Sequence, residues 1–587
     1  MLTMTTLQFV PHDGPQIDFI VLNEVSDSVS ETFMKLGATR FDKIGYTAFV
    51  WNDRFDECFL SGLGVFDGKF RIGPNRLSSV PRERGAGAYT IVNLERSKAT
   101  FLPDYFGMAP LYHSAHLVTN RLHLAALAVG DLNVNAALAT FYSDGGFSFT
   151  LNSFDTAVRG VRLVPAESSL QISSEGVECL SLVERSDFET AEVGDYWTLI
   201  DKGAQEIADN VDALVESGYP LLADLTGGRD SRLVFGALVA SGHVRDVSFN
   251  TITTPSTPNQ QSDLEIASGL VKKYGGSYVG RPNLIGYSEY TADQHFLRRR
   301  SQVFGTYHWI VPSDVRPTVG LTKSRVIRLL GGGGELYRDY WVPMLFHRAP
   351  INDGVEESTI EQMLVSHRSS RFGANLLSQY LPTLVATFSA LPGITLDQRL
   401  DAHYLNFRNR FHFGIRQSMP EMLSAINVAM VPSLLKAARS LPYEERQTGR
   451  VLFDVTRTFD EKLAYLQYDT PNDPRIFESR YHKPSPYNQG GLKVTPDVDF
   501  ARSQKDKRPF QRPFKPNVKP VDFNAFLDAE TDQAYELLRD SKSAFSFLTG
   551  IDLESLIDWA RVYSPRNRSA ITSRLRAFAD LDQAVSS

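Results

Sequence analysis

Residues Leu222 to Leu233 read LADLTGGRDSRL: an apolar run, a turn containing Gly227 and Gly228, and the start of a second apolar run, RLVFGALVASG. Outward from this stretch, DYWTLIDKGAQEIADNVDALVESG before it places Leu199, Ile200, Ile207, Val211 and Leu214 at helical spacing, and YPLLADL reads as the strand entering the turn. Beyond it come a strand, VSFNTI, and a helix, DLEIASGLVKKYG, which Ser262 and Glu265 announce in capping-box spacing and Gly275-Gly276 close. Strands alternating with helices predict a parallel, doubly wound sheet whose ligand lies at the carboxyl ends of its strands. Two glycines let the backbone turn tightly and approach an oxyanion, and the amides of the turn and helix N-terminus favour negative charge there. Asp230 beside such a nest would repel phosphate by itself, so its use is to hold a Mg²⁺ that bridges phosphates. Arg232 sits in the first helical turn, where a cation needs an anionic partner. The plainer reading is a Gly-Gly connection whose Asp and Ser cap a helix; the strand and helix on either side favour the nucleotide reading.

The rest of the chain sets bounds. Its 587 residues, 42% hydrophobic and 22% charged, suit two or three globular domains. A net charge of -7 and a sequence pI near 6.0 exclude a nucleic-acid coat or a general membrane-surface binder, since both need a basic face. Two cysteines, Cys58 and Cys179, are too few for a disulfide framework or a thiolate metal site and fit a reducing, cytoplasmic setting. The N-terminal residues carry no basic-then-apolar signal, and no apolar run is long enough to span a bilayer. From about residue 16 to 185 the runs QIDFIVL, YTAFVW, FLSGLGVF-DG-KFRIG, GAYTIVNL, KATFL, LYHSAHLV and SSLQISS-EG-VECLSL predict a mostly β region, two packed sheets. Residues 355 to 470 read as largely helical. Ala501 to Pro520, ARSQKDKRPFQRPFKPNVKP, is a basic, Pro-rich strap suited to an extended contact across its own chain, with a second copy or with a partner protein, and a small helical tail follows it. The twelve histidines show no zinc-ligand spacing.

A second glycine motif lies in VIRLLGGGGELYRDYW, Val326 to Trp341, where an apolar strand ends in a glycine turn followed by Glu335. Taken alone, four glycines are a flexible turn; taken in order and context with the first motif, the nucleotide reading is favoured.

Here the chain resembles the PP-loop ATP pyrophosphatases, whose hallmark is SGGxDS with Thr226 in place of the first Ser, and within them the asparagine synthetase group with its β-lactam synthetase, carbapenam synthetase and lasso-peptide cyclase members. The resemblance runs from about residue 40 to 490. PDYFGMAPLYHS matches the D-x-x-G-x-x-P-L-Y-Y hairpin of the class II glutamine amidotransferase domain at Asp104, Gly107, Pro110, Leu111 and Tyr112, and LVPAESSLQI resembles the strand that closes that domain. VIRLLGGGGELYRDYW resembles V-L-S-G-x-G-x-D-E, with Glu335 at the metal-ligating position, while LDAHYLNFRNRFHFG, VPSLLKAARSLPYEER and RIFESRYHKPSPY resemble the helical half. The resemblance implies an Ntn-type antiparallel β-sandwich over residues 1–190, degenerate because no cysteine stands near the start as a nucleophile, then a PP-loop synthetase domain with a large helical portion over 196–500, and the strap and tail over 501–587. It implies ATP binding by Thr226, Gly227, Gly228, Arg229, Asp230, Ser231 and Arg232, by Asn250 and Thr251, and by Gly331, Gly332 and Gly333. Asp230, Glu335 and Lys483 would be catalytic, Lys483 steadying the adenylate and its leaving group. Arg408 and Arg410 could line the acceptor side, or be paired structurally. Gly332 stands where the family carries a Glu or Tyr that helps deprotonate the nucleophile, so the base is missing or comes from elsewhere.

The expected function is an AMP-forming ligase that adenylates a small-molecule or peptide carboxylate and transfers the acyl group to an amine without using glutamine, with ring closure if both lie on one molecule. The alternatives are a pseudoenzyme scaffold in a biosynthetic complex and a tRNA-modifying PP-loop enzyme; the acidic composition counts against the latter.

Overall fold

The computed structural model describes residues 15–52, 57–133, 152–251, 255–279, 301–305, 326–345, 374–414, 424–487, 491–498, 523–539 and 565–586. The N-terminal residues 1–14 and the strap, 501–520, lie outside them.

Period-two alternation organises the first part. In chain order the strands are β1 Asp18–Leu22, β2 Thr39–Lys43, β3 Tyr46–Trp51, β4 Cys58–Phe66, β5 Lys69–Ile72, β6 Asn75–Arg76, β7 Arg84–Leu94, β8 Ala99–Pro103, β9 Tyr112–His113, β10 Leu117–Thr119, β11 Arg162–Leu163, β12 Ser168–Ser173 and β13 Gly176–Ser181. They pair antiparallel in two sheets, ordered β11-β9-β10-β1-β3-β2 and β13-β12-β8-β7-β4-β5, with β6 also on β4. Phe19, Val21, Ala48 and Val50 of the first sheet meet Phe59, Val92, Phe101 and Ile172 of the second in a shared buried layer. Phe19 stacks on Phe101 at 5.7 Å between ring centroids. The other face of β1, Ile20 and Leu22, joins the main core. Asp67 and Gly68, at φ 46° and 67°, turn β4 into β5; a two-residue hairpin needs left-handed residues at both positions, which Asp-Gly supplies. Cys58 is buried on β4, where burial pushes its thiol up to about 11, and Cys179 is exposed on β13. Both are strand residues.

Pairing changes from antiparallel to parallel between Ser181 and Leu221, across the helix Val193–Glu216. That helix buries Ile200, Ile207, Val211 and Leu214, the stripe its sequence spacing predicts. Then follow β14 Leu221–Asp224, the helix Arg229–Ala240, β15 Val247–Asn250, the helix Pro258–Tyr274, β16 Ser277–Tyr278, β17 Ile327–Leu329 and β18 Ala425–Ile426. All four pairings are parallel and the order is β16-β15-β14-β17-β18. The chain therefore runs outward from β14 in one direction and then returns to β14's other side, so strand order reverses between β14 and β17. The helix after β15 departs from its expected start. Thr257 caps it by accepting from the Gln260 amide, with Pro258 in the first turn, five residues ahead of Ser262; Glu265 instead accepts from Gln261 along the helix at 2.6 Å. Gly275, left-handed at φ 72°, closes it as expected.

Buried polar ties hold the parallel and antiparallel parts together. Arg439 donates to both carboxylate oxygens of Glu167 at 2.7 and 2.6 Å with both residues buried. Asn210, from the connecting helix, accepts from the Ala86 amide on β7 and donates to the Val428 carbonyl. The helical half includes Leu396–His403, a wide-wound π-helical segment Tyr404–Gly414, Pro432–Arg439 and Arg450–Phe459. At the end of the chain the helices Phe523–Arg539 and Pro565–Ser586 pair through Thr531–Thr572 and Arg576–Glu530 contacts. Leu575, Phe578 and Leu581 of the last helix are buried in the same core as Leu122 of the early helix Leu122–Val129. No helix among the described residues is long and apolar enough to cross a membrane.

Candidate functional site

β14 and β17 are the two central strands on either side of the order reversal, the position where open α/β sheets leave a crevice at their carboxyl ends. Both glycine motifs begin there. Just before the first turn, Asp224 at the end of β14 is held by Arg328 of β17, at 2.9 and 2.7 Å, and by Asn250 of β15, at 2.9 Å. Asn250 thus braces a neighbouring strand end. Thr251 is buried against the Tyr278 hydroxyl.

The turn is built from its own hydroxyls. Ser231 Oγ accepts from the Thr226 amide at 3.0 Å and lies 3.1 Å from Thr226 Oγ1, which accepts from the Gly228 amide at 3.2 Å. The Gly227 amide donates to Asp263 at 2.8 Å. The three amides expected to face an anion are therefore bonded within the protein, and Asp263, from the helix after β15, does part of that work. Helix Arg229–Ala240 starts after Gly228 with no side-chain cap among the described residues, which leaves the amides of Arg229, Asp230 and Ser231 as the ones that could face an anion.

The second turn packs on the first. A Cβ at Gly331 would lie 2.6 Å from Ser231 Cβ and 2.7 Å from Ser231 Cα, so only glycine lets the two loops approach this closely. Gly333 is left-handed at φ 92°, and a Cβ at Gly334 would meet the Asp230 carboxylate. A side chain at Gly332 would run into the Phe413 ring, 2.5 Å from its Cβ position, so Phe413 fills the space that a side chain at 332 would take. Asn427 donates to the Gly332 carbonyl.

This brings Asp230 and Glu335 together. A single nitrogen, Arg338 Nη2, lies 3.6 Å from Asp230 Oδ2 and 3.8 Å from Glu335 Oε1. The other oxygen of each carboxylate, Asp230 Oδ1 and Glu335 Oε2, is buried without a hydrogen-bond partner among the described residues. Burial, then repulsion from Glu335, pushes Asp230 up to about 7 against the pull of Arg338 and Arg229. Two carboxylates that share one guanidinium nitrogen, each with a further oxygen left unbonded among the described residues, fit a divalent cation bound between them, which would complete its shell with water and phosphate oxygens, as Mg²⁺ does. No group of three or more His, Cys, Asp or Glu side chains converges among the described residues. Tyr404 lies beside the pair, and burial followed by Glu335 raises its hydroxyl well above the ordinary phenol value, so it can give a hydrogen bond but not take a proton.

Other expected residues lie elsewhere. Arg232 is fully buried and bonded to protein: it donates to the carbonyls of Leu466 and Gln467 at 2.8 and 2.5 Å and covers the Tyr468 ring at 3.6 Å, in the segment whose Asp469 amide bonds the Gly227 carbonyl. The anion its position demanded is supplied by carbonyl dipoles, so it braces the segment 463–468 rather than a phosphate. Arg229 bonds Asn472 and the Pro471 carbonyl. Lys483 places its ammonium over Trp197 at 3.5 Å, and no bond joins it to the carboxylate pair among the described contacts. Arg410 is pinned to the Gly107 and Val164 carbonyls, with burial lowering its guanidinium to about 10, so it docks the helical half on the antiparallel part. The Asp104 and Gly107 positions have the same purpose: Asp104 accepts from the Met108 and Ala109 amides, and a Cβ at left-handed Gly107 would strike the Arg410 guanidinium. Arg338 and Asp263 are among the site residues that sequence reasoning missed. Arg338 had a faint signal, lying three residues after Glu335.

Comparison with protein-family models and with curated proteins finds no match for this chain.

Proposed function

We propose that the protein is an ATP-dependent, AMP-forming ligase that adenylates a carboxylate and passes the acyl group to an amine. One observation carries the reading: two glycine turns leave adjacent parallel strands at the order reversal and bring Asp230 and Glu335 to one nitrogen's reach, each with a second oxygen unbonded among the described residues. A carboxylate and an amine do not condense in water because hydroxide leaves poorly; attack on the α-phosphate of ATP gives an acyl-AMP with a good leaving group. The first-turn amides after Gly228 would hold the departing pyrophosphate, and Asp230 and Glu335 would hold the Mg²⁺ that neutralises it. The TGGRDS turn also lacks the GK[ST] lysine that serves γ-phosphate transfer, which favours cleavage between α and β phosphates. Phe413 against Gly332 leaves no base at that position, so the amine must arrive neutral or lose its proton to another group.

The internally bonded turn amides favour a second reading, a non-catalytic scaffold. ATP–pyrophosphate exchange with candidate acids separates the two. The ligase reading expects Mg²⁺-dependent exchange and AMP, lost by at least a hundredfold in Asp230→Asn and Glu335→Gln. ADP and phosphate as products, or full activity in Asp230→Asn, would refute it.

A further inference from the structure

We propose that Arg338 is a built-in counter-ion that occupies the place of the divalent cation and must be displaced when the cation binds. The inference rests on reading Asp230 and Glu335 as the cation-holding pair. Its nitrogen faces one oxygen of each carboxylate, at 3.6 and 3.8 Å. Those separations give charge attraction without a directional hydrogen bond, because both exceed hydrogen-bonding range. The contact is therefore strong enough to compensate two neighbouring carboxylates and loose enough to yield. A carboxylate's usual firm arginine partner looks different in this same chain: Arg439 grips Glu167 with two short bonds in a buried setting. Arg338 is also one-third exposed, at 34%, against 3% for Arg439, so it has solvent to move into.

The remaining charges around the pair do not replace it. Arg229 approaches Asp230 electrostatically but is committed to Asn472 and Pro471. Asp469 adds further negative charge. Without Arg338 the pair would be an uncompensated anionic site, attractive to any divalent metal and repulsive within itself. With Arg338 one of the two negative charges of the empty pair is offset, and only a cation carrying enough charge to outcompete a guanidinium enters. Displacement also frees a guanidinium beside the oxyanion that accompanies the metal.

The probe is Mn²⁺ alone, titrated into the full chain without nucleotide and followed by loss of the free-ion magnetic resonance signal. Arg338→Gln should bind Mn²⁺ at least tenfold more tightly than the wild type, and Arg338→Lys, which keeps the charge, should return toward wild-type affinity. In thermal unfolding, Arg338→Gln should melt below the wild type in metal-free buffer and gain more from Mn²⁺. Equal or weaker Mn²⁺ binding in Arg338→Gln, or no binding by either protein, would overturn the proposal. Since this readout needs no turnover, failure of ATP–pyrophosphate exchange alongside the expected Mn²⁺ pattern would remove the ligase reading and leave the counter-ion standing.

Discussion

Replacing Arg232 with leucine tests whether this side chain serves the nucleotide or the scaffold. In the structure its guanidinium gives two sound hydrogen bonds, 2.8 Å to Leu466 O and 2.5 Å to Gln467 O, while the 3.5 Å approach to Leu463 O is marginal. Hydrogen bonds from a charged donor are each worth about 1.5 to 3 kcal/mol, and a desolvated cation over an aromatic ring adds about 2 kcal/mol. Against this stands the cost of holding a charge in a site with no solvent exposure, so the sum of contacts overstates the net. Leucine removes that cost but leaves two carbonyls without their donor and strips the Tyr468 ring of the nearer of its two arginines. The expected loss is about 3 to 5 kcal/mol, the range for breaking a buried charged contact from one side. Lysine should recover only part of it, because one ammonium lacks the planar fork that spans both carbonyls. The assay is urea unfolding of the metal-free protein followed by tryptophan fluorescence and by circular dichroism, with nucleotide binding measured on the folded variant. A stability loss under about 1 kcal/mol together with at least tenfold weaker ATP binding would show that the side chain reaches the phosphates, and would refute the bracing role.

Two glycines of the paired turns should separate packing from ligand approach. Gly331→Ala drives a methyl into the Ser231 backbone and should cost about 1 to 3 kcal/mol in unfolding experiments, whereas Gly228→Ala, whose nearest neighbour is Thr226 Oγ1 at 3.3 Å, should cost less than about 1 kcal/mol yet weaken ATP binding at least tenfold; equal stability losses in the two would contradict the packing argument. The pH dependence of stability gives another check. Asp230 is raised in the folded state, to about 7, so it contributes stability at pH below its unfolded value, and that contribution is lost as pH rises toward and through 7. In metal-free buffer Asp230→Asn should therefore stabilise the protein more at pH 8 than at pH 5, by no more than about 3 kcal/mol, and Mn²⁺ should erase the advantage. An Asp230→Asn effect that is the same at both pH values would mean the carboxyl is not strained.

The sequence showed what local patterning controls. Strands such as DFIVL and YTAFVW declared themselves by alternation or by aromatic and β-branched content, and the two glycine turns by following strands. β2, TRFDK, escaped because it is an edge strand whose charged, solvent-facing residues mask its period. The helix after β15 was started late because Ser262 and Glu265 imitate a capping box in mid-helix, while the real cap, Thr257, is followed by the polar run Pro258 to Gln261. In the site, Asp230 and Glu335 were legible because each sits at a fixed offset from a glycine turn. The partners of the turn were not. Asp263 reaches Gly227 across 36 residues, and the carbonyls that hold Arg232 lie more than 230 residues downstream, a distance over which no spacing rule operates. Lys483 followed motif order, but order says nothing about which ring an ammonium will settle on.

The return of the last helix, Pro565–Ser586, to the early helix Leu122–Val129 has a consequence during synthesis. Leu122 leaves the ribosome more than 400 residues before Leu581, its neighbour across Gly305, exists. At translation rates of about 5 to 20 residues per second, that interval is roughly 20 to 90 seconds. The two antiparallel sheets can pair as soon as β13 is made, but the apolar helix beside them must wait for its cover throughout that time. A nascent chain of this protein thus carries an open hydrophobic seam until the helix Pro565–Ser586 has emerged to close it.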